Sequence, residues 1–233
     1  MIYKGLTPKI PEENHRMSRL TFVITLLLSL TFFSTAHASS SERLYYAAKG
    51  GYLQAAKELI ETKNASTAYA NINGETAFFA AVESGNLEMA EYLLDNRANI
   101  NQPNSNRTTP LHIASRAGNL NMVNFLLENG AAPDATDNDG VTPLHEVAAA
   151  GHFDIMQQLV IKGANTEART VRGWLPMHHA ARFGHIRIVS TLLYRGTPMY
   201  IRTNDGKSIF DLAKIAGHED LLVFLAKYAK SKQ

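Results

Sequence analysis

Glycine recurs along this chain with a period that few folds can accommodate. Six glycines follow one another at intervals of 34 and then 33 residues: Gly51, Gly85, Gly118, Gly151, Gly184 and Gly217. Such a period means that one small structural unit is repeated, and a single unit of this size cannot bury its own apolar face. The chain is therefore predicted to form a stacked array of units, with a function that lies on the extended surface of the stack.

The residues around each glycine repeat as well. Before the glycine, the Thr-Pro-Leu-His segment Thr109–His112 recurs as Thr142–His145 and, in altered form, as Leu175–His178. After the glycine, apolar residues spaced three and four apart lead to a second glycine, as from Leu120 to Gly130. Threonine favours the N-cap of a helix, proline its first position, and glycine the left-handed residue at its end. Each unit is thus predicted to contain two short antiparallel helices.

This pattern resembles the ankyrin repeat family in both period and signature, from about residue 41 to residue 230. The resemblance implies an all-α solenoid of about six helix-turn-helix units with projecting β-turns, which pairs such as Asp139-Gly140 indicate. The ankyrin-repeat domain would span residues 39–233. We place the units at approximately 41–73, 74–106, 107–139, 140–172, 173–205 and 206–233.

The second unit departs from the glycine pattern at two positions. Arg97 replaces the glycine that ends the second helix in other units, and Arg107 replaces the turn glycine. Arginine is strained in the left-handed conformation that glycine adopts freely. We therefore expect irregular corners in this unit.

Residues 1–38 differ in character from the rest of the chain. A mostly apolar stretch without charge, from Leu20 to Phe33, follows two arginines and precedes Ala36-His37-Ala38. Basic residues, a short apolar core and small residues are the three parts of a secretory signal peptide, and a membrane span usually needs roughly 20 apolar residues. We predict cleavage after Ala38, with an uncleaved anchor as the alternative. A start at Met17 would give a leader of ordinary length.

The leader also distorts the charge balance. It holds four of the 23 basic and two of the 21 acidic residues, so residues 39–233 carry 19 of each and have no net charge. This neutrality gives no reason to expect nucleic acid or an anionic membrane as a partner. The chain has no cysteine, which excludes disulfides and thiolate chemistry. Export without cysteine favours a bacterial periplasm, with secretion or retention by the uncleaved leader as alternatives.

Six of the seven histidines outside the leader follow the repeat, and only His179 does not. Two repeat positions hold three histidines each: His112, His145 and His178 at one, and His152, His185 and His218 at the other. In ankyrin repeats the first set resembles a structural histidine that ties neighbouring turns together, and the second resembles the Gly-His step between helices. Equivalent residues of successive units lie roughly 10 Å apart, which is too far to share a zinc ion with bonds near 2 Å. We expect no metal site and no cofactor.

The sequence contains no nucleophile elbow, phosphate-binding loop or zinc-protease motif. An enzyme assisted by a metal or a ligand around His178 and His179 is the catalytic alternative. Asp134, Asp137 and Asp139 could hold calcium weakly, but acidic residues are ordinary in such turns. We therefore predict a protein without enzymatic activity.

In this family the partner usually meets the turn tips and the exposed ends of the first helices. The predicted partner-binding residues there are Arg116, Asn138, Asp139, Arg172, Trp174, Arg182 and Phe183. Four of the seven, Arg172, Trp174, Arg182 and Phe183, lie in the fifth unit or directly before it. Tryptophan and arginine dominate interface energies. The three arginines would meet an acidic, partly apolar element of the partner. The alternative is that Trp174 packs on its neighbouring turn and the arginines are only solvated.

The sequence thus predicts a monomeric, exported scaffold that binds an unidentified protein partner in the cell envelope. It would not stay inserted in a membrane once the leader is removed. A secreted effector or immunity-type protein, acting on a host or a competitor, is the alternative function.

Overall fold

The computed structural model of the chain describes residues 38–232. The twelve helices of this range are α1 Ser40–Lys49, α2 Leu53–Lys63, α3 Ala77–Glu83, α4 Leu87–Asp95, α5 Pro110–Ala117, α6 Leu120–Glu128, α7 Pro143–Ala150, α8 Phe153–Ile161, α9 Pro176–Arg182, α10 Ile186–Tyr194, α11 Ile209–Ala216 and α12 Glu219–Ser231. They form six successive pairs, and in each pair the first helix packs against the second. First helices also pack closely on the first helices of adjacent pairs, whereas second helices contact one another less. The predicted all-α repeat solenoid is confirmed.

The two ends of α5 show why the repeat sequence forms these helices. Thr109 is the N-cap residue, and Pro110 occupies the first helical position, where its missing N–H removes no hydrogen bond. The helix ends at Gly118, whose φ of 74° lies in the left-handed region. Helix α7 has the same arrangement. The start and stop signals of the sequence therefore act where the repeat pattern places them.

Two seams of buried side chains run through the stack. The seam of the first helices consists of Leu44, Phe78, Leu111, Leu144 and Met177, each at most 1% exposed. The seam of the second helices consists of Met89, Met122, Ile155, Ile188 and Leu221, each at most 2% exposed. Every residue of a seam occupies the same repeat position in its unit. Burying such a side chain contributes about 1.5–3 kcal/mol relative to exposure, and adjacent units supply the contacts that a lone unit lacks.

A row of histidines ties each turn to the next. The backbone N–H of Thr109 donates to Nδ1 of His112 at 3.2 Å, and Nε2 donates to the carbonyl of Val141 at 3.0 Å. His145 forms the equivalent bonds with Thr142 and Trp174. His178 accepts from the N–H of Leu175 and donates to the carbonyl of Ile201, at a different position of the repeat. Because Nδ1 accepts from an N–H while a carbonyl only accepts, each ring is neutral with its proton on Nε2. Burial lowers the pKa of all three histidines, that of His145 to about 4.

The period of the glycines has a second cause besides the end of the first helix. Nε2 of His152 donates to the carbonyl of Arg116 at 3.2 Å, and its ring lies over Gly118. A Cβ atom at Gly118 would lie 2.6 Å from that ring, closer than a real side chain approaches. His185 and His218 cover the glycines of the next two units in the same way. Packing between units therefore also favours glycine at these three positions.

The expectation of irregular corners in the second unit was wrong. Arg97 has a φ of 66° and Arg107 a φ of 60°, so both adopt the left-handed conformation of the glycines that they replace. The flanking hydrogen bonds explain this regularity. The N–H of Ala98 donates to the carbonyl of Leu93 at 3.0 Å, and that of Arg107 donates to Asn104 at 2.8 Å. These bonds hold the corners in the common geometry despite the steric cost of a side chain.

Candidate partner-binding site

Neighbouring β-turns are joined edge to edge by their backbones. Four hydrogen bonds make these links: Ser105 N–H to Asn73 O (2.8 Å), Asn138 N–H to Asn106 O (3.1 Å), Val171 N–H to Asp139 O (2.8 Å) and Asn204 N–H to Arg172 O (2.9 Å). The turn tips and the C-terminal ends of the first helices line common clefts, and we call this surface the turn-tip face. Because its turns are bonded to one another, the backbone of this face is ordered before a partner binds.

A cleft of about 720 Å³ lies on the turn-tip face between the last two units, and we call it the C-terminal cleft. The residues that line it are Val171, Arg172, Trp174, Arg182, Phe183, Asn204, Asp205, Lys207, Leu212, Ile215 and Ala216. Val171, Phe183 and Ile215 are 61%, 51% and 71% exposed. Single exposed apolar side chains are common on proteins, but three around one cleft form a patch of the kind that marks an interaction site.

Trp174 forms one wall of the C-terminal cleft and is half-buried. Its indole meets the ring of His179 edge-on, with the ring centroids 5.0 Å apart. The guanidinium carbon of Arg182 lies 5.6 Å from the indole centroid, within the range of a cation–π contact. Trp174 therefore packs on α9 of its own unit and also lines the cleft.

The two arginines of the C-terminal cleft carry charge that no carboxylate compensates. Among residues 38–232, no carboxylate oxygen lies within 4 Å of a guanidinium nitrogen of Arg172 or Arg182, and both side chains are exposed. Lys207, in contrast, forms an ion pair with Asp205 at 3.1 Å. An unpaired arginine next to apolar surface offers a planar, bidentate donor for a carboxylate of another molecule.

A second cleft, of about 450 Å³, lies on the same face between the second and third units, and we call it the N-terminal cleft. Nine polar residues line it: Glu75, Glu83, Asn104, Asn106, Thr108, Arg116, Asp137, Asn138 and Asp139. Four of the nine are acidic. Arg116 is already paired, because its Nε donates to Oε2 of Glu146 at 2.9 Å and its terminal nitrogen donates to Oε1. The N-terminal cleft is therefore polar and negatively charged.

A family model described as Ankyrin repeats (3 copies) matches residues 28–104, 44–137, 98–170 and 144–233 of the chain. These matches together span most of its length. The chain belongs to the ankyrin repeat family. A search of the curated proteins found no match. Ankyrin repeats generally mediate protein–protein interactions, so a protein partner is the expected ligand of this ankyrin repeat protein.

The structure divides the seven partner-binding residues predicted for this ankyrin repeat protein between two places. Arg172, Trp174, Arg182 and Phe183 meet in the C-terminal cleft. Arg116 and Asn138 lie in the N-terminal cleft with Asp139. A smaller cleft, of about 220 Å³, adjoins both sets because its walls include Asp139, Arg172 and Trp174. The single acidic element expected to meet all three arginines would find Arg116 apart from the other two and bonded to Glu146.

Sequence reasoning missed the contribution of the sixth unit to the C-terminal cleft. Lys207 comes from its turn, and Leu212, Ile215 and Ala216 come from α11. The repeat register could have identified two of them, because Ile215 and Ala216 precede Gly217 as Arg182 and Phe183 precede Gly184. Ile215 and Ala216 are uncharged aliphatic residues, whereas the prediction for this face was based mainly on charged and aromatic residues.

His179, the histidine outside the period, meets two neighbouring rings edge to face. Its centroid is 5.4 Å from that of His145 and 5.0 Å from that of Trp174. Burial lowers the pKa of His179 to about 3, and repulsion from His145, His178 and Arg182 adds to this shift. The imidazole is thus a neutral ring at neutral pH. Both nitrogens of the adjacent His178 are bonded to backbone groups.

The acidic turn has structural tasks. Oδ1 of Asp137 accepts from the N–H groups of Asp139 and Val141 at 2.9 Å each, and Oδ1 of Asp134 accepts from Asn165 at 2.8 Å. Within residues 38–232, no three side chains of His, Cys, Asp or Glu are grouped so that they could hold a metal ion. None of the helices in the same range combines the length and the hydropathy needed to cross a membrane.

Proposed function

We propose that this ankyrin repeat protein is an exported, non-enzymatic scaffold that holds a protein partner on its turn-tip face in the cell envelope. The observation that carries the proposal is the C-terminal cleft, where three exposed apolar side chains surround a tryptophan and two unpaired arginines. Aromatic and arginine side chains at the centre of a patch are the usual anchors of protein interfaces.

The rigidity of the turn-tip face supports a binding role. Its five turn tips are linked by four backbone hydrogen bonds, and the rows of histidines join them to the helices beneath. A partner that binds such a surface does not have to order it first, so less of the interaction energy is lost as conformational entropy. The neutral, backbone-bonded rings of His112, His145 and His178 support a structural role for these histidines rather than a catalytic one.

Export rests on the pattern of residues 1–38, which lies outside the described residues except for Ala38. The protein would be made with this leader, and cleavage after Ala38 would release the repeat domain into the periplasm. N-terminal sequencing of the protein isolated from envelope fractions tests this part of the proposal. A mature N-terminus at Ser39 is expected, and an intact leader on a cytoplasmic protein would contradict it.

Partner binding is tested by capture from envelope extracts on immobilised protein, with quantification by mass spectrometry. We expect at least one protein to be retained by the wild type and lost about tenfold or more with Arg182→Glu, which reverses the charge at the C-terminal cleft. Arg195→Glu is the matched control, because Arg195 is also exposed at a helix end and lines none of the three clefts. If nothing retained depends on any substitution in the turn-tip face, the proposed function is wrong.

A further inference from the structure

We infer that the C-terminal cleft takes an acidic segment of the partner that also presents an apolar side chain, and that this segment is confined to the fifth and sixth units. The inference rests on the proposed function and adds the chemistry and the footprint of the partner. Three independent features of the described residues carry it: the apolar floor of the cleft, its unpaired positive charge, and the opposite charge of the N-terminal cleft.

The apolar part of the segment is required by the composition of the cleft. Val171 from a turn, Phe183 from the end of α9 and Ile215 from α11 leave most of their side chains in water, and they lie around one concavity. Each contributes to binding only if a complementary apolar group removes it from water, at about 25 cal/mol per Å². An aliphatic or aromatic side chain of the partner supplies that group.

The acidic part is required by the charges around this apolar floor. The guanidinium groups of Arg172 and Arg182 have no carboxylate partner among residues 38–232, whereas Lys207 is paired with Asp205. A purely apolar ligand would remove water from two arginines and leave them without compensation, which is costly. A ligand with carboxylates next to its apolar anchor avoids this cost, because each guanidinium can bind a carboxylate through two N–H groups.

The footprint follows from the N-terminal cleft. Glu75, Glu83, Asp137 and Asp139 face it, and the one arginine there is occupied by Glu146. An acidic segment that continued across the turn tips toward this cleft would meet like charge. The described surface therefore favours an acidic segment over the C-terminal cleft and disfavours it over the second and third units.

The experiment is a selection from a phage library of random peptides of about 12 residues, long enough to cross the cleft when extended at roughly 3.3 Å per residue. The immobilised wild-type chain is the bait. A variant with both Arg182→Ala and Ile215→Ser is used in parallel for counter-selection. We expect enriched peptides that combine Asp or Glu with at least one large apolar residue, and no such enrichment on the double variant.

Trp174 provides the readout for individual peptides, because it is the only tryptophan of the chain and lines the cleft. Titration with a selected peptide that lacks tryptophan should change its emission until the site is saturated. Ile215→Ser and Arg182→Ala should each raise Kd about fivefold or more. Ile161→Ser and Arg195→Ala are the matched controls, since Ile161 is exposed to nearly the same degree as Ile215 but lies at the end of α8. Both controls should leave Kd unchanged.

Enrichment of basic or uncharged peptides, binding that ignores the cleft substitutions, or no enrichment over the double variant would each overturn the inference. Concentration-dependent dimers that disappear with Ile215→Ser would assign the cleft to a second copy of the chain, and would overturn it too. The inference can fail while the proposed function holds. A captured protein whose binding depends on Glu83 or Arg116 would support the scaffold role and contradict the inference.

Discussion

The two clefts of the turn-tip face share one backbone design and differ in chemistry. A single repeat position shows the contrast, because it holds Glu83, Arg116, Ala149, Arg182 and Ile215 in successive units. At the N-terminal cleft this position is polar and the surroundings are acidic, while at the C-terminal cleft it carries a free cation and an apolar side chain. The position of the first-helix seam is apolar and buried in the first five units, and the half-buried Phe210 occupies it in the sixth. The stacking of units constrains the residue types of the seam. The turn-tip face is free of this constraint, so its residue types can differ between units.

The largest effect should come from breaking the seam. Leu144→Ala removes buried methyl groups at the centre of the stack and leaves a cavity, so we expect it to lower the free energy of unfolding by about 2–5 kcal/mol. Glu83→Ala, at an exposed position of the face, should change it by less than about 0.5 kcal/mol. Urea denaturation followed by circular dichroism measures both. Equal effects would show that the face contributes to the fold as much as the seam does.

Glycine substitutions separate packing from backbone conformation. Gly151 and Gly163 have φ values of 81° and 91°, so alanine is strained by roughly 1–2 kcal/mol at either position. A Cβ atom at Gly151 would also lie 2.5 Å from the ring of His185, whereas one at Gly163 would have nothing within 4 Å. We expect Gly151→Ala to destabilise the protein by about 1 kcal/mol or more beyond Gly163→Ala. Identical denaturation midpoints for the two variants would contradict the packing role.

Acid should weaken the half of the stack that carries the C-terminal cleft. The folded protein lowers the pKa of His145 to about 4 and that of His179 to about 3, from an ordinary value of 6.5. Below pH 6.5 these two histidines become protonated in the unfolded chain, while they stay neutral in the folded protein. The contribution of these histidines to the free energy of unfolding is therefore largest above pH 6.5 and decreases as the pH falls toward 4. We expect a loss of about 1–3 kcal/mol between pH 6.5 and pH 5.

The control for this pH dependence is His179→Phe, which keeps an aromatic ring beside Trp174 and removes one titrating group. Denaturation at a series of pH values should give this variant a smaller loss than the wild type over the same interval. An unchanged slope would mean that His179 is not a neutral, buried ring in the folded protein.

The smallest effect in free energy is the one that tests the contrast between the clefts most directly. For an acidic peptide selected on the wild type, Arg182→Glu should raise Kd about tenfold, which corresponds to about 1.4 kcal/mol. Glu83→Arg should leave Kd unchanged or lower it slightly, because it only removes distant like charge. Fluorescence titration at constant ionic strength measures both values. A larger change in Kd at position 83 than at position 182 would mean that the acidic peptide binds the N-terminal cleft, which would contradict the inference.

Much of the fold could be read from single residues of the sequence. Thr109, Pro110 and Gly118 mark the ends of one helix through local backbone chemistry, and the spacing of apolar residues identifies the buried side of each helix. The local rule that arginine avoids the left-handed region failed at Arg97 and Arg107. The hydrogen bonds that close each corner, from Ala98 to Leu93 and from Arg107 to Asn104, accompany the left-handed conformation there. The preference of a single residue type did not reveal them.

The candidate site was less predictable. The repeat register placed Arg172, Trp174, Arg182 and Phe183 on one surface, and the structure brings these four together. The same register predicted that Arg116 and Arg182 would both bind the partner, although Arg116 is paired with Glu146 of the next unit. It also passed over Ile215, whose exposure matters because Val171 and Phe183 lie around the same cleft.

The amino-acid sequence by itself determined the repeat, the helix pairs and the two apolar seams, because caps, turns and helical periodicity act over a few neighbouring residues. Only the tertiary structure decided which exposed side chains share a cleft, which arginine is already bound, and which histidines are neutral. These properties depend on distances between side chains that are about 30 residues apart, such as Arg116 and Glu146. The register says that such residues belong to adjacent units, but their charge state and availability follow from how the units pack.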